Sequence, residues 1–474
     1  MIELSKDIFE YLTSLYGSES ALAYKAYIQT EHTTYLRKKK NYSSENLIND
    51  LSEYGITVQQ EPEIPDAYKI IKGENAAGKT IQHITGKYYI QSLSSMVPAM
   101  VLDPKEKDVV LDLCAAPGSK TTQLSDLMGN KGTLISNEIS VDRVKMLVHN
   151  IDRMNVINIG VLNHKGELLS KVYSNYFDKI LVDAPCSALG VLQKKQEVSS
   201  WWNEERVAVI ASIQLKLLIA AIKMLKPGGE LVYSTCTLTP EENEIIVNTV
   251  LRKYPVEAAV IEFPLESHEG FTSYKNERLH PDLKKAKRIL PWQVDSEGFF
   301  VVKLRKTSET ETNGSNTGKV SGLSFISSDH KSIRGHLAEL SDAYGIHNTV
   351  WNGYKYLAKG TDLFFTAESW NDSDLSSFTR VGTRFGSIGK NNKLQLHPFA
   401  VQYFSDEIKE NIYFVKDKNE LRNYLAGGII RTSAEPGTLK AVKYRDIMLG
   451  TAVPVHNGLK SQFPKSKRMQ EIIL

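Results

Sequence analysis

Five short runs of consecutive apolar residues, separated by stretches of helical periodicity, dominate the middle of this 474-residue chain. They are Val109-Val110-Leu111-Asp112-Leu113, Thr133-Leu134-Ile135-Ser136, Ile159-Gly160-Val161-Leu162, Lys179-Ile180-Leu181-Val182 and Glu230-Leu231-Val232-Tyr233. A strand that is apolar at nearly every position is covered on both faces, the condition of a parallel sheet sandwiched between helices. Thr121 to Met128, Val141 to Met154 and Glu204 to Leu225 supply such helices, the last stopped by Lys226-Pro227-Gly228-Gly229. The pattern predicts an α/β fold, a doubly wound and mostly parallel Rossmann-like sheet, over about residues 86–306. Phe299 to Leu304 reads as a late strand that closes the sheet edge.

The flanks read differently. Residues 1–85 mix helical and strand patterns, and Ser43-Ser44-Glu45-Asn46 ahead of Leu47, Ile48 and Leu51 predicts a capped amphipathic helix, so an N-terminal α+β extension is expected. Residues 307–320 are polar and without an apolar anchor, which predicts a linker. Residues 321–474 carry short strand-like runs, many aromatics and a basic end, and are expected to form a separate, mostly-β region.

The net charge of +3 does not by itself announce a nucleic-acid binder. Basic residues cluster, however, at Arg37-Lys38-Lys39-Lys40, at Lys284 to Arg288 and at Lys460 to Arg468. Any one of these is a solvated patch; three around one core outline a phosphate-binding track. The three cysteines, Cys114, Cys186 and Cys236, form no C-x-x-C pair, so neither a metal nor a disulfide framework is expected. Met1 to Gly17 is acidic where a signal peptide needs a basic start, and no apolar run approaches the ~18 residues of a membrane span. A cytoplasmic, monomeric protein without membrane contact is expected.

The first strand runs into Asp112-Leu113-Cys114-Ala115-Ala116-Pro117-Gly118-Ser119-Lys120-Thr121, a turn whose backbone a ligand can approach. With Gly118 alone, neither the dinucleotide fingerprint nor a P-loop is present, so the ligand is a nucleoside without phosphates. Glu138, after the second strand, is placed to accept hydrogen bonds from two ribose hydroxyls. S-adenosylmethionine fits both conditions. Asp183-Ala184-Pro185-Cys186 follows the fourth strand and Ser234-Thr235-Cys236-Thr237 the fifth, so both cysteines are delivered to the same rim. Either alone reads as a small buried hydrophobe; two at adjacent strand ends point to function. Carbon 5 of cytosine cannot attack a methyl sulfonium unaided. A thiolate added to carbon 6 makes it an enamine, an acid near N3 stabilises the charge, and Asp183 is positioned for that.

These motifs, with Gly86 to Met96, Tyr233 to Thr237 and Gly298 to Leu304, resemble the Sun/Nop family of RNA cytosine-5 methyltransferases over about residues 85–306. The resemblance implies that Cys236 is the nucleophile and Cys186 assists product release. It also implies cofactor contacts from Cys114, Ala115, Ala116, Pro117, Gly118, Ser119, Lys120, Glu138, Arg143 and Asp183. Length and domain order look like the bacterial branch that modifies small-subunit ribosomal RNA, whose C-terminal region holds a PUA-like RNA-binding module. A thiolate at Cys236 needs a nearby positive charge or helix N-terminus, and Pro240-Glu241-Glu242 offers a helix start. The chain departs from the family where an aspartate usually reads the adenine amino group: Lys165 stands there, leaving Asn163 or a backbone carbonyl for the role. It departs again at Ser187-Ala188, at Gln193 to Gln196 and at Arg37-Lys38-Lys39. Two alternatives stay open, an enzyme acting on transfer RNA and an RNA-binding pseudoenzyme of ribosome assembly.

Overall fold

The computed structural model describes residues 2–310, 323–372, 374–389, 391–433, 439–468 and 471–474. Most of the expected linker, residues 311–320, lies outside the described residues.

Ten strands form the central sheet: β1 Val109–Asp112, β2 Thr133–Asn137, β3 Ile159–Leu162, β4 Phe177–Asp183, β5 Leu225–Thr235, β6 Val256–Ala259, β7 His268–Glu269, β8 Lys287–Ile289, β9 Phe299–Lys306 and β10 Arg380–Val381. Their order is β7-β8-β9-β5-β4-β1-β2-β3-β10, with β6 also paired to β9. The five strands from β3 to β5 run parallel, and β9 lies antiparallel to β5. Every residue of β1, β2 and β3 is buried, as a sheet covered on both faces requires. Helices α1 Ser119–Leu127, α2 Val141–Arg153 and α3 Glu204–Met224 connect the parallel strands. Two apolar clusters, one on each face, share the sheet: Leu111, Ile180 and Tyr233 pack with α3, while Val110, Leu134 and Leu181 pack with α1 and α2.

Two expectations about the core need correction. β9 does not close the edge, because β8 and β6 divide its outer side between Phe299–Val301 and Lys303–Lys306. The apolar strand is followed by an antiparallel excursion too short and polar to register as strands in sequence. α3 is long and apolar enough, at a mean hydropathy of 1.9 over its best 18 residues, to meet the length and composition of a membrane span. Here its apolar side, including Leu217, Leu218, Ala221 and Ile222, instead packs in the core of the α/β sandwich.

Each basic run has at least one member that is buried rather than solvated, while Lys40, Lys284, Lys460 and Lys465 are exposed. Arg37 is buried and donates to the Ser119 carbonyl (3.1 Å) and to Thr122 Oγ1 (2.9 Å), and burial lowers its pKa to about 10. Lys38 pairs with Asp66 at 2.9 Å, and Lys39 donates to the Met154 carbonyl, leaving Lys40 as the exposed member. Arg288 is buried against Glu244, and Lys467 is buried with its ammonium on the Ile84 carbonyl. These cations fasten the flanking regions to the core, so a continuous phosphate track through all three runs is not what the fold presents.

The flanks are woven into the catalytic sheet. Helices Lys6–Tyr16 and Ser18–Tyr27 pack Ile8, Leu12 and Tyr24 on Leu189, Trp202 and Leu290. An antiparallel sheet of Thr57–Gln60, Ala67–Lys72, Tyr35–Lys38 and Tyr88–Ile90 carries the N-terminal layer past residue 85. The helix Ser44–Ser52 forms with Ser43 as its cap, donated to by the Asn46 N–H. The C-terminal region makes a four-stranded and a five-stranded sheet, and its strand β10 crosses over to pair with β3. Gly160 of β3 allows this approach: a Cβ there would come within 2.6 Å of the Phe378 ring and 2.7 Å of Trp370.

Candidate active site

The chain leaves β1 for β2 and β3 on one side, then returns to β4 on the other. That reversal opens a crevice beyond the carboxyl ends of β1 and β4. Gly118, with φ of 108°, caps α1 where a Cβ would approach Leu147 of α2 to 3.1 Å, so the turn closes tightly on the second helix. The Ala115 N–H donates to the Asn137 carbonyl (2.8 Å), and the Asn137 side chain bonds Leu113 and His164, which locks the ends of β1, β2 and β3 together.

The crevice has a volume of about 450 Å³ and is lined by Cys114, Ala116, Glu138, Ile139, Arg143, Asp183, Cys186 and Cys236. Gly166, Glu167, Lys195 and Ile213 also line it. These last four were not read from the sequence; only their place after a strand end or near Cys186 could have flagged them. Glu138 is buried, accepts from the Ser140 N–H at 3.0 Å and lies 3.2 Å from the Arg143 guanidinium, which also reaches the Ala116 carbonyl. Four expected contact residues do other work. Ala115 is tied into the strand ends, and Pro117 is exposed with its carbonyl on Asn150 Nδ2. The Ser119 carbonyl accepts from Arg37, and Lys120 sits beneath the crevice rather than on its wall. Lys165 faces a neighbouring apolar groove, and Asn163 spends its amide on the Glu138 and Ile139 carbonyls.

At the other end of the crevice the Cys186 and Cys236 sulfurs stand 3.2 Å apart. Asp183 lies beside them, its Oδ1 accepting from Ser234 Oγ (2.8 Å) and its Oδ2 held by Lys120 Nζ (2.7 Å). Lys120 Nζ also donates to Ser95 Oγ (2.9 Å) and lies 5.2 Å from the centre of the Phe299 ring. Burial works to depress the Lys120 ammonium, but the Asp183 carboxylate outweighs it and the pKa rises. The Cys186 thiol is pushed up by its contact with Cys236 and by burial, and the Cys114 thiol by burial. Asp112, buried and hydrogen-bonded by Thr121 Oγ1 (2.7 Å), is pushed up to about 7 by burial. The cation buried beneath this end of the crevice is Lys120, bonded to Asp183 and Ser95. The expected helix start is only a three-residue turn, Pro240–Glu242, with the helix proper beginning at Glu244.

A strand-reversal crevice with an acid for a ribose at one end and a carboxylate beside two thiols at the other defines an S-adenosylmethionine-dependent methyltransferase. The donor set suits that cofactor: the crevice offers the carboxylate of Glu138 to hydroxyl donors and that of Asp183 to a cationic group. Residues 99–305 match the family model described as 16S rRNA methyltransferase RsmB/F. The chain is 31% identical over 437 residues to ribosomal RNA small subunit methyltransferase F of Vibrio parahaemolyticus, covering 89% of this chain and 88% of that protein. The tRNA (cytosine(49)-C(5))-methyltransferase of Pyrococcus abyssi is 39% identical over 229 residues, 48% of this chain and 73% of that protein. Among solved structures, NSun6 from Pyrococcus horikoshii with SFG, an S-adenosylmethionine analogue, matches with a TM-score of 0.56 at 26% identity, over 64% of this chain and 99% of that one. A methyltransferase homologue from Pyrococcus horikoshii matches with a TM-score of 0.56 at 28% identity, over 64% of this chain and 100% of that one. The chain belongs to the RsmB/F family and is an S-adenosylmethionine-dependent RNA (cytosine-5)-methyltransferase.

Proposed function

We propose that this enzyme methylates carbon 5 of a cytosine in small-subunit ribosomal RNA through a covalent bond between Cys236 Sγ and carbon 6. The observation that carries the reading is the pair of sulfurs 3.2 Å apart beside Asp183. S-adenosylmethionine, when bound, supplies an electrophilic methyl group. Glu138, steadied by Arg143, holds the ribose hydroxyls, while Cys114, Ala116 and Asp183 border the rest of the cofactor. The target cytosine is unstacked and flipped into the crevice. Cys236, as thiolate, adds to carbon 6 and moves electron density onto carbon 5. N3 takes up a proton as the ring becomes electron-rich, and Asp183, fixed by Lys120 and Ser234, accepts a hydrogen bond from that N–H. After methylation a water molecule takes the carbon-5 proton, the C5–H electron pair re-forms the C5=C6 double bond, and the S–C6 bond breaks with its electron pair returning to the Cys236 sulfur, a release that Cys186 assists.

The ribosomal substrate is favoured over transfer RNA because the likeness to the ribosomal enzymes runs over most of this chain, including its C-terminal third. We assign that third, a PUA-like module in this reading, to RNA binding, in a cytoplasmic enzyme. The test is transfer of tritium from S-adenosylmethionine to unmodified small-subunit ribosomal RNA and transfer RNA in parallel, followed by nucleoside analysis. Label in 5-methylcytosine from ribosomal RNA is expected. Label from transfer RNA alone would move the substrate, and no label without cofactor binding would leave an RNA-binding pseudoenzyme.

A further inference from the structure

We propose that Glu242, which does not line the crevice, is the positioning residue that sets the separation of the Cys186 and Cys236 sulfurs. Glu242 is wholly buried. Its Oε1 accepts from the Ser187 N–H (2.8 Å) and Gln214 Nε2 (3.0 Å), and its Oε2 from Thr239 Oγ1 (2.7 Å) and Ser187 Oγ. Four donors converge on two oxygens, which is the full accepting capacity of a carboxylate.

The donors are not scattered. Ser187 follows Cys186 directly. Gln214 Nε2 also donates to the carbonyl of Pro185, the residue before Cys186 (2.8 Å). The loop of Cys186 is therefore gripped on both sides of the thiol. On the other loop, Ser187 Oγ lies 2.9 Å from Thr237 Oγ1, directly after Cys236. The neighbouring Asn243 bonds Thr235 Oγ1 (2.6 Å) and the Thr237 carbonyl (3.1 Å), which brackets Cys236 in turn. Tyr233 Oη donates to the Glu242 carbonyl (2.6 Å) and anchors the knot to β5. The two cysteines come from different strands, 50 residues apart. On the far side of the sulfurs from the Ser234–Asp183 bond, a side-chain bridge between their loops runs through Ser187, Thr237, Thr239 and Glu242.

A carboxylate reaching both loops fixes a distance, and the distance depends on side-chain length more than on charge. Glu242→Gln keeps the length, and the hydroxyls of Ser187 and Thr239 can rotate to accept from the new amide. Glu242→Asp keeps the charge but withdraws the carboxylate by one methylene, so it cannot hold both loops. A misplacement of about 1 Å in a preorganised pair costs up to about a hundredfold in rate.

This inference deepens the two-thiol reading above, but its test needs no RNA, so failure of the substrate assignment leaves the outcome interpretable. Full-length protein is treated with diamide, a diazene that takes two hydrogens and becomes the hydrazine as two thiols become a disulfide. Formation of the Cys186–Cys236 linkage is followed by peptide mapping, alongside S-adenosylhomocysteine affinity by calorimetry. Wild type and Glu242→Gln are expected to cross-link at rates within about threefold, and Glu242→Asp about tenfold more slowly or worse, all with similar ligand affinity. Gln214→Ala, which removes one strut, gives an intermediate rate and serves if Glu242→Asp does not fold. Folded Glu242→Asp that cross-links at the wild-type rate, or Gln214→Ala doing so where Glu242→Asp cannot be made, would overturn the assignment.

Discussion

Lys120 Nζ lies 2.7 Å from Asp183 Oδ2, and the pair joins the first turn of α1 to the end of β4. The lysine is almost wholly buried while the aspartate is 27% exposed towards the crevice, so the contact fixes the carboxylate from below and leaves it open above. Lys120→Met keeps the volume and removes the cation that holds Asp183. Methyl transfer in single turnover is expected to fall about a hundredfold, the scale of losing one preorganised electrostatic partner. S-adenosylhomocysteine affinity is expected to change only a few fold, because Glu138 and Cys114 are untouched. Parallel losses of affinity and rate would assign Lys120 to cofactor binding instead.

The two thiols are expected to fail differently. Cys236→Ala removes the attacking sulfur, so neither product nor a protein–RNA band on a denaturing gel appears. Cys186→Ala retains attack and loses assisted release, so RNA accumulates bound to protein while turnover slows. A Cys186→Ala enzyme with normal turnover and no band would remove Cys186 from the release step.

Lys467 carries a pH signature. Burial, reinforced by Arg153, lowers its pKa to about 7, although its ammonium donates to the Ile84 carbonyl and lies over the Phe399 ring. Below pH 7 the folded protein holds a buried charge at a cost. Between about 7 and the ordinary lysine value the unfolded chain binds a proton that the folded chain does not, so stability rises with pH through that window. Lys467→Met is therefore expected to stabilise the protein at pH 7 by on the order of 2 kcal/mol, net of the bond lost at Ile84, and the gain should fade towards pH 10. Urea denaturation across that range checks it; a gain independent of pH would show that packing rather than charge was relieved.

Removal of residues 323–474 is expected to destabilise the catalytic sheet as well as weaken RNA binding. Trp370, Leu375, Phe378 and Val381 belong to the same apolar cluster as Leu111 and Ile180, and Thr366 Oγ1 and Thr383 Oγ1 donate to the Ile157 and Val156 carbonyls. The truncated protein should melt several degrees lower and expose apolar surface. An unchanged melting temperature for the catalytic part would show that the sheet closes without β10.

The strands were legible because burial on both faces leaves a mark in every residue: Val109 to Asp112 and Thr133 to Asn137 appear where the apolar runs place them. Cys186 and Cys236 were legible through their motifs and their place at adjacent strand ends. Arg37 and Lys467 were not, since a lysine or arginine in a basic run reads the same whether its head meets water or a buried carbonyl. Glu242 was illegible for another reason: its partners Ser187 and Gln214 lie 55 and 28 residues away. Periodicity within a segment carries no trace of such pairings. The role of β10 escaped likewise, two residues whose pairing with β3 depends on Gly160 admitting Phe378 and Trp370.

The position of β10 also bears on how the chain is made. Synthesis proceeds from the N-terminus, so β1 to β9 emerge before the strand that covers β3. Until Arg380 and Val381 have left the ribosome, the nascent sheet carries an open flank of unpaired amides beside Gly160, the kind of edge that invites pairing with another chain. The last third of the polypeptide thus supplies, late in synthesis, the strand that closes this flank.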